Sequence, residues 1–218
     1  MVEFNYLGEN IKINSIYETD HIYNSINKSK CFYEIGLLKT IMNMGLGGIY
    51  LDVGANIGNH TIFFSKFCKS NKVFSFEIFD EFCDIINENV RINNINNVVI
   101  NRFGLGDKDG YVGLSSIDKN NVGMLSINDD FGNHKIMRLD SIIFNDKVSV
   151  IKIDVEGYET KVIQGGLNTI KEHEPIIITE CRYEHEYNEQ HKVLSSIGYY
   201  TNKINHAKTP TYIWRMKK

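Results

Sequence analysis

Two acids close apolar runs late in the chain: Asp154 ends the run Val148 to Asp154, and Glu180 ends the run Ile176 to Glu180. If both runs are neighbouring strands, the two carboxylates emerge together at one edge of a sheet. A carboxylate beside another binds its proton more tightly, so one of the pair can take a proton from a hydroxyl as a catalytic base. The same pair of oxygen ligands can instead hold Mg²⁺, a metal that would acidify a bound hydroxyl. Both readings of Asp154 and Glu180 stand at this point. Glu156, two residues beyond Asp154, reads either as a third functional acid or as the cap of a helix that starts at Gly157.

A second group precedes these acids. Tyr50-Leu51-Asp52-Val53-Gly54-Ala55-Asn56-Ile57-Gly58-Asn59-His60-Thr61 reads as a strand, a glycine-rich turn and a helix, which places a ligand at the strand's carboxyl end. A dinucleotide-binding turn needs glycine where Asn56 stands, because the backbone must approach a pyrophosphate there. Asp52 would also face a diphosphate badly, and suits a positive group such as the ammonium of a methionine moiety. The next apolar run, Val73 to Glu77, ends in an acid that can accept hydrogen bonds from both hydroxyls of a ribose. An adenosine with no diphosphate and an ammonium at its far end describes S-adenosylmethionine. Taken singly, Gly54 and Gly58 would serve a tight turn and Glu77 a helix N-terminus; the ordered set favours the ligand.

The elements that must position these groups follow from hydrophobic period. Ile49 to Val53, Val73 to Glu77, Val98 to Phe103, Val148 to Asp154 and Ile176 to Glu180 read as strands, separated by helix-period segments Thr61 to Cys68, Glu81 to Asn93 and Tyr158 to Ile170. Such alternation implies right-handed βαβ units and a mostly parallel, doubly wound α/β sheet. Tyr199 to Thr201 and Thr211 to Arg215 predict an antiparallel finish. Upstream, Val2 to Ile13 reads as a β-hairpin, Asp20 as the cap of a helix, and Tyr33 to Met42 as a second helix. The expected organisation is an N-terminal cap over residues 1–47 and a catalytic domain over 48–218, with a flap over 110–139 where the rhythm breaks.

Val53 to Thr61, Phe76-Glu77, Gly104-Leu105-Gly106-Asp107 with Gly110, Arg138-Leu139-Asp140 and Ile151 to Glu159 together resemble the FkbM-type S-adenosylmethionine-dependent methyltransferases, over roughly Ile49 to Arg182. The resemblance implies a Rossmann-like class I methyltransferase fold and methylation of a hydroxyl on a sugar or similar small molecule. It also implies Asn59 and Gly104 as cofactor neighbours, and Phe32-Tyr33-Glu34 resembles a stretch through which Glu34 would reach the cofactor. The family's proline turn after the ribose acid is replaced by Ile78-Phe79-Asp80, so Ile78 is expected to pack on adenine. The acids after Asp154 and at Glu180 are also similar to metal-dependent TylF-type sugar O-methyltransferases. His134 and His185 are alternative bases, Arg182 an anion receptor, and His60 a packing residue; His21, His173, His191 and His206 read as surface residues.

Composition sets outer bounds. The 218 residues are 42% hydrophobic and 23% charged with net charge −3, which fits one globular core. The acidic balance argues against a nucleic-acid partner. No apolar run reaches the roughly 18–20 residues of a membrane span, and the N-terminus has no secretion pattern, so a cytoplasmic place is expected. The chain carries 25 asparagines and 31 isoleucines but only two alanines, a codon-bias pattern in which most asparagines are expected to be filler in turns and helix ends. Two competing functions remain: a methyltransferase acting on nucleic acid or protein, and a non-catalytic S-adenosylmethionine-binding module. An N/D-P-P-Y/F motif is missing at Ile153 to Glu156, against the first, and the Asp154/Glu180 pair argues against the second. Oligomeric state is not set by the sequence.

Overall fold

The computed structural model describes residues 1–17, 19–115, 126–128 and 132–217. The chain opens with an antiparallel hairpin, β1 (Val2–Tyr6) and β2 (Glu9–Ile13), then α1 (His21–Ser29) and α2 (Ile35–Asn43). Asp20 caps α1, its carboxylate accepting from the Tyr23 N–H at 2.6 Å. Next come β3 (Gly48–Val53), α3 (Asn59–Phe67), β4 (Ser70–Phe76), α4 (Asp80–Ile92) and β5 (Val98–Asn101). Four short strands follow: β6 (Gly104–Leu105), β7 (Gly110–Ser115), β8 (Ser126–Asn128) and β9 (His134–Met137). The chain ends with β10 (Val148–Ile153), α5 (Glu159–Gln164), α6 (Leu167–His173), β11 (Ile176–Glu180), α7 (Glu184–Ser196), β12 (Tyr199–Tyr200) and β13 (Thr211–Met216).

Seven strands form the main sheet in the order β12-β13-β11-β10-β3-β4-β5. β10, β3, β4, β5 and β11 run parallel, and β13 is antiparallel to both β11 and β12. Every residue of β3 and β10 is buried, which is why both read as unbroken apolar runs. The strand order reverses direction between β3 and β10, and a crevice opens there at the strands' carboxyl ends.

Each sheet face has its own core. On one, Tyr50, Val73, Val150, Ile178 and Ile213 meet Phe63 and Phe64 of α3 together with Val2, Phe4, Ile11, Ile13, Phe32 and Leu38 from the N-terminal segment. On the other, Leu51, Ile151, Ile153, Ile177 and Trp214 pack under Val162, Ile163, Ile170 and Leu194 of α5 to α7. Residues 1–47 thus share their core with the sheet.

The helix expected over Tyr158 to Ile170 is two helices, broken at Gly165-Gly166. A Cβ on Gly165 would lie 1.8 Å from the Gly106 carbonyl oxygen and one on Gly166 2.8 Å from Leu139, so the break falls where these two residues press on the chain. Asp140 then caps α6 from outside, accepting from the N–H groups of Asn168 and Thr169 at 3.2 and 2.8 Å. Of the stretch expected as a flap, β7, β8 and β9 join β6 in a four-stranded sheet, while residues 116–125 and 129–131 lie outside the described residues.

Asn89 and Asn93 are exceptions to the filler reading, and Asn59, read as a cofactor neighbour, has a structural role as well. The Asn89 side chain accepts from Asn14 N–H at 2.7 Å and donates to the carbonyls of Asn14 and Ile57. Asn93 makes the same two-way pairing with the backbone of Lys12, and Asn59 with that of Tyr33. Each amide imitates a neighbouring strand and fastens the N-terminal segment to α3 or α4.

Candidate active site

The register of three strands creates a polar row inside the first core: Ser75 pairs beside Asp52, and Asp52 beside Lys152. A lysine buried among apolar strands persists only with partners. Its Nζ lies 3.2 Å from Asp52 Oδ1 and 3.5 Å from Asp154 Oδ2, and donates to the Gly54 carbonyl at 2.9 Å. Burial pulls the Lys152 pKa down, but Asp52, Asp154 and Glu34 outweigh it and the net displacement is upward. Asp52 Oδ2 accepts from the Thr61 hydroxyl at 2.6 Å, and that hydroxyl is 2.7 Å from Ser75 Oγ.

The turn after β3 crosses close over the end of β10. Gly54 has φ +77°, and a Cβ there would stand 1.9 Å from the Asp154 carbonyl oxygen, so only glycine fits. Asn56 has φ 50°, a left-handed conformation asparagine tolerates better than most residues, and its N–H donates to Glu77 Oε2 at 2.8 Å. Glu77 Oε1 accepts from the N–H groups of Ile78 and Phe79 at 2.8 and 3.1 Å. Burial pushes the Glu77 carboxyl up to about 7 against the pull of these three bonds. A carboxylate offers about four acceptor positions, so one remains, on Oε2.

These groups line a cleft of about 780 Å³, within the size range of small-molecule sites. Ile78, Phe79, Phe82, Gly104 and Leu105 form an apolar patch of its wall next to Glu77. A Cβ on Gly104 would come within 3.1 Å of Ile78 Cδ1, so glycine keeps that patch open. Tyr33, Glu34, His60, Lys152 and Asp154 line a polar stretch, with Glu156, Glu180, Arg182, Lys208 and Thr209. Glu34 Oε2 is 3.3 Å from His60 Nε2.

Asp154, Glu156 and Glu180 converge, each offering a carboxylate oxygen within 4.8 Å of the others. Burial, then the charges of Asp154, Glu156 and Glu159, push Glu180 up to about 8, and its Oε2 is buried with no hydrogen-bond partner among the described residues. Burial and Asp154 push Glu156 up to about 7 against the pull of Arg182. Glu156 holds a left-handed φ of 56°, and a Cβ on the following Gly157 would strike Arg182 Nη2 at 2.3 Å. Arg182 pairs with Glu156 at 3.0 Å and Glu186 at 2.9 Å, so the guanidinium read as an anion receptor is already compensated. Burial, Glu34 and the three clustered acids push the Tyr33 phenol up to about 12.

Of the residues read as cofactor contacts, Glu34, Gly54, Asn56, Asn59, Glu77, Ile78 and Gly104 line the cleft. Asp52 and Gly58 do not. Asp52 is fully buried behind the wall against Lys152 and Thr61, and Gly58, at φ +84°, turns the chain into α3 against Ile86. Asp154, Glu156 and Glu180 all line it, as does His60. His134 packs on the Phe79 ring at 5.5 Å and exposed His185 stacks on Tyr183 at 5.6 Å; neither lines the cleft. His21 does, with its ring against Tyr33. Sequence reasoning missed Tyr33, Lys152, Lys208 and Thr209. Only Lys152 had left a signal, a charge inside an apolar strand.

A parallel sheet with helices on both faces, an antiparallel last strand and a cleft at the switch point define a Rossmann-like class I methyltransferase fold. The chain belongs to the FkbM methyltransferase family, whose "Methyltransferase FkbM domain" matches residues 52–207. Among solved structures it is similar to a methyltransferase FkbM from Methylobacillus flagellatus KT, at 18% identity and TM-score 0.55, covering 76% of this chain and 42% of that one. It therefore spans less than half of that relative's length. A ribosomal protein L11 methylase from Lactobacillus delbrueckii subsp. bulgaricus is similar at 13% identity and TM-score 0.54, over 85% of this chain and 77% of that one. A putative rRNA-methylase from Clostridium thermocellum gives 13% and 0.54, over 85% and 97%. At such identities the likeness is one of fold. No curated protein sequence matches the chain. Among the described residues, no helix is long and apolar enough to cross a membrane.

Proposed function

We propose that the chain is an S-adenosylmethionine-dependent O-methyltransferase acting on a hydroxyl of a sugar, such as a nucleotide-sugar or glycan building block, or of a similar small molecule. The observation that carries this reading is the convergence of Asp154, Glu156 and Glu180 on a cleft that also has an apolar patch beside Glu77. S-adenosylmethionine, when bound, supplies an electrophilic methyl group. Ile78, Phe79 and Phe82 would cover adenine, and Glu77 Oε2 would accept one ribose hydroxyl.

The acceptor hydroxyl must lose a proton as it attacks, and the clustered carboxylates are the groups to take it. Burial and mutual repulsion give the cluster a proton affinity suited to neutral pH. Asp154 is held in place by Lys152 and has the role of base or orienter; Glu180 shares its proton. The same oxygens suit Mg²⁺ in number and type, and that ion would acidify the hydroxyl. The net charge of −3 favours a small hydroxyl compound over nucleic acid as the acceptor. Residues 1–47 act in this reading as a cap, because Thr19 to Ile22, Tyr33 and Glu34 line the cleft.

The test is label transfer from S-adenosylmethionine to a panel of nucleotide-activated sugars, glycans, RNA and protein, with and without chelator. Label on sugars alone is expected. Label on RNA or protein alone would overturn the acceptor class, and chelator-insensitive turnover would remove the metal.

A further inference from the structure

We infer that Glu34, in place of Asp52, is the anion that receives the ammonium of the cofactor's methionine moiety. This rests on the S-adenosylmethionine reading above. The acid two residues before Gly54 is the residue that the sequence offers for that task, but it is fully buried, lies off the cleft wall, and has both oxygens engaged by Thr61 and Lys152. The Gly54 carbonyl accepts from Lys152 as well, at 2.9 Å. A ligand ammonium placed there would face the lysine ammonium.

Glu34 lines the same cleft and its side chain is 11% exposed. One oxygen lies against His60. Around Lys152 stand Asp52, Asp154 and Glu34, three carboxylates; even with His60 charged, this set keeps one negative charge that a ligand cation would neutralise. The backbone fixes the position. Glu34 sits at the start of α2 in a left-handed conformation with φ 53° and ψ 36°, costly for a non-glycine residue, and the two-way bond of Asn59 to Tyr33 pins the preceding residue. Glu34, Asn56 and Glu156 are three non-glycine residues with positive φ on one cleft.

Calorimetric titrations of wild type and Glu34→Gln with three ligands test the assignment. S-adenosylmethionine carries both ammonium and sulfonium, S-adenosylhomocysteine keeps only the ammonium, and 5′-methylthioadenosine has neither. Glu34→Gln is expected to weaken the first two by about tenfold or more, the range of a charged hydrogen bond, and to leave the third within about twofold. Equal losses for all three ligands would make Glu34 a structural residue and overturn the inference. So would unchanged affinity for S-adenosylhomocysteine. Wild-type protein that binds none of the three would overturn the cofactor reading itself, and this inference with it.

Discussion

Asp154 meets the chemistry on one side and the scaffold on the other: its carboxylate joins Glu156 and Glu180 while Lys152 holds it at 3.5 Å. In the proposed reaction, removing it takes away the acceptor-side base or orienter and leaves the apolar patch and Glu77 in place. Asp154→Ala is expected to lower kcat by about 10³-fold, the middle of the general-base range, with S-adenosylmethionine affinity within a few-fold; single-turnover transfer alongside calorimetry checks both. Its place on the cleft was legible from sequence because an acid at the end of an apolar run has one exit, the sheet edge. Asp52 was misread for the complementary reason. Its partner Lys152 comes from a strand about 100 positions on, and only the register of β3 against β10 brings the two together.

The elements of the parallel sheet were legible wherever burial on both faces gave an unbroken apolar run, as in β3 and β10. The Gly165-Gly166 break escaped because apolar spacing continues through it, and the cause is a contact with Gly106 and Leu139 from a distant segment. The asparagine clamps escaped for the same reason: an amide reads as filler until a backbone edge lies beside it. Asn89→Ala removes three hydrogen bonds and strands the Asn14 N–H. A loss of about 2–3 kcal/mol is expected, given the cost of an unsatisfied buried group, read from urea denaturation midpoints. Because Asn89 and Asn93 fasten β2, and with it the segment leading to Glu34, weaker cofactor affinity should accompany the loss. Unchanged stability would show that the hairpin's apolar packing alone holds it.

Across the whole molecule, the buried acids of the cleft dominate the expected pH response. Glu77 and Glu156 are pushed up to about 7, Glu159 to about 6 and Glu180 to about 8, in each case first by burial. In the unfolded chain these groups ionise near the ordinary glutamate value of about 4.3. Since the folded pKa values are the higher ones, their contribution to stability is fully present below that value and is lost as pH rises through roughly 6 to 8. The Tm of ligand-free protein is thus expected to fall by about 5 °C or more between pH 5.5 and 8.5, on a scale of about 2–4 °C per kcal/mol, and Glu180→Gln to flatten the fall. A Tm that rises over this interval would show that these acids are already compensated.

On the proposed reading, this cleft holds S-adenosylmethionine with Glu77 on its ribose. Equilibrium titration of S-adenosylmethionine into wild type and Glu77→Ala, with circular dichroism to confirm that both are folded, tests it most directly. Saturable one-to-one binding by wild type is expected, with a loss of about tenfold or more in the variant, the range of a hydrogen bond to a charged group. Absence of binding by wild type, or equal binding by the folded variant, would contradict it.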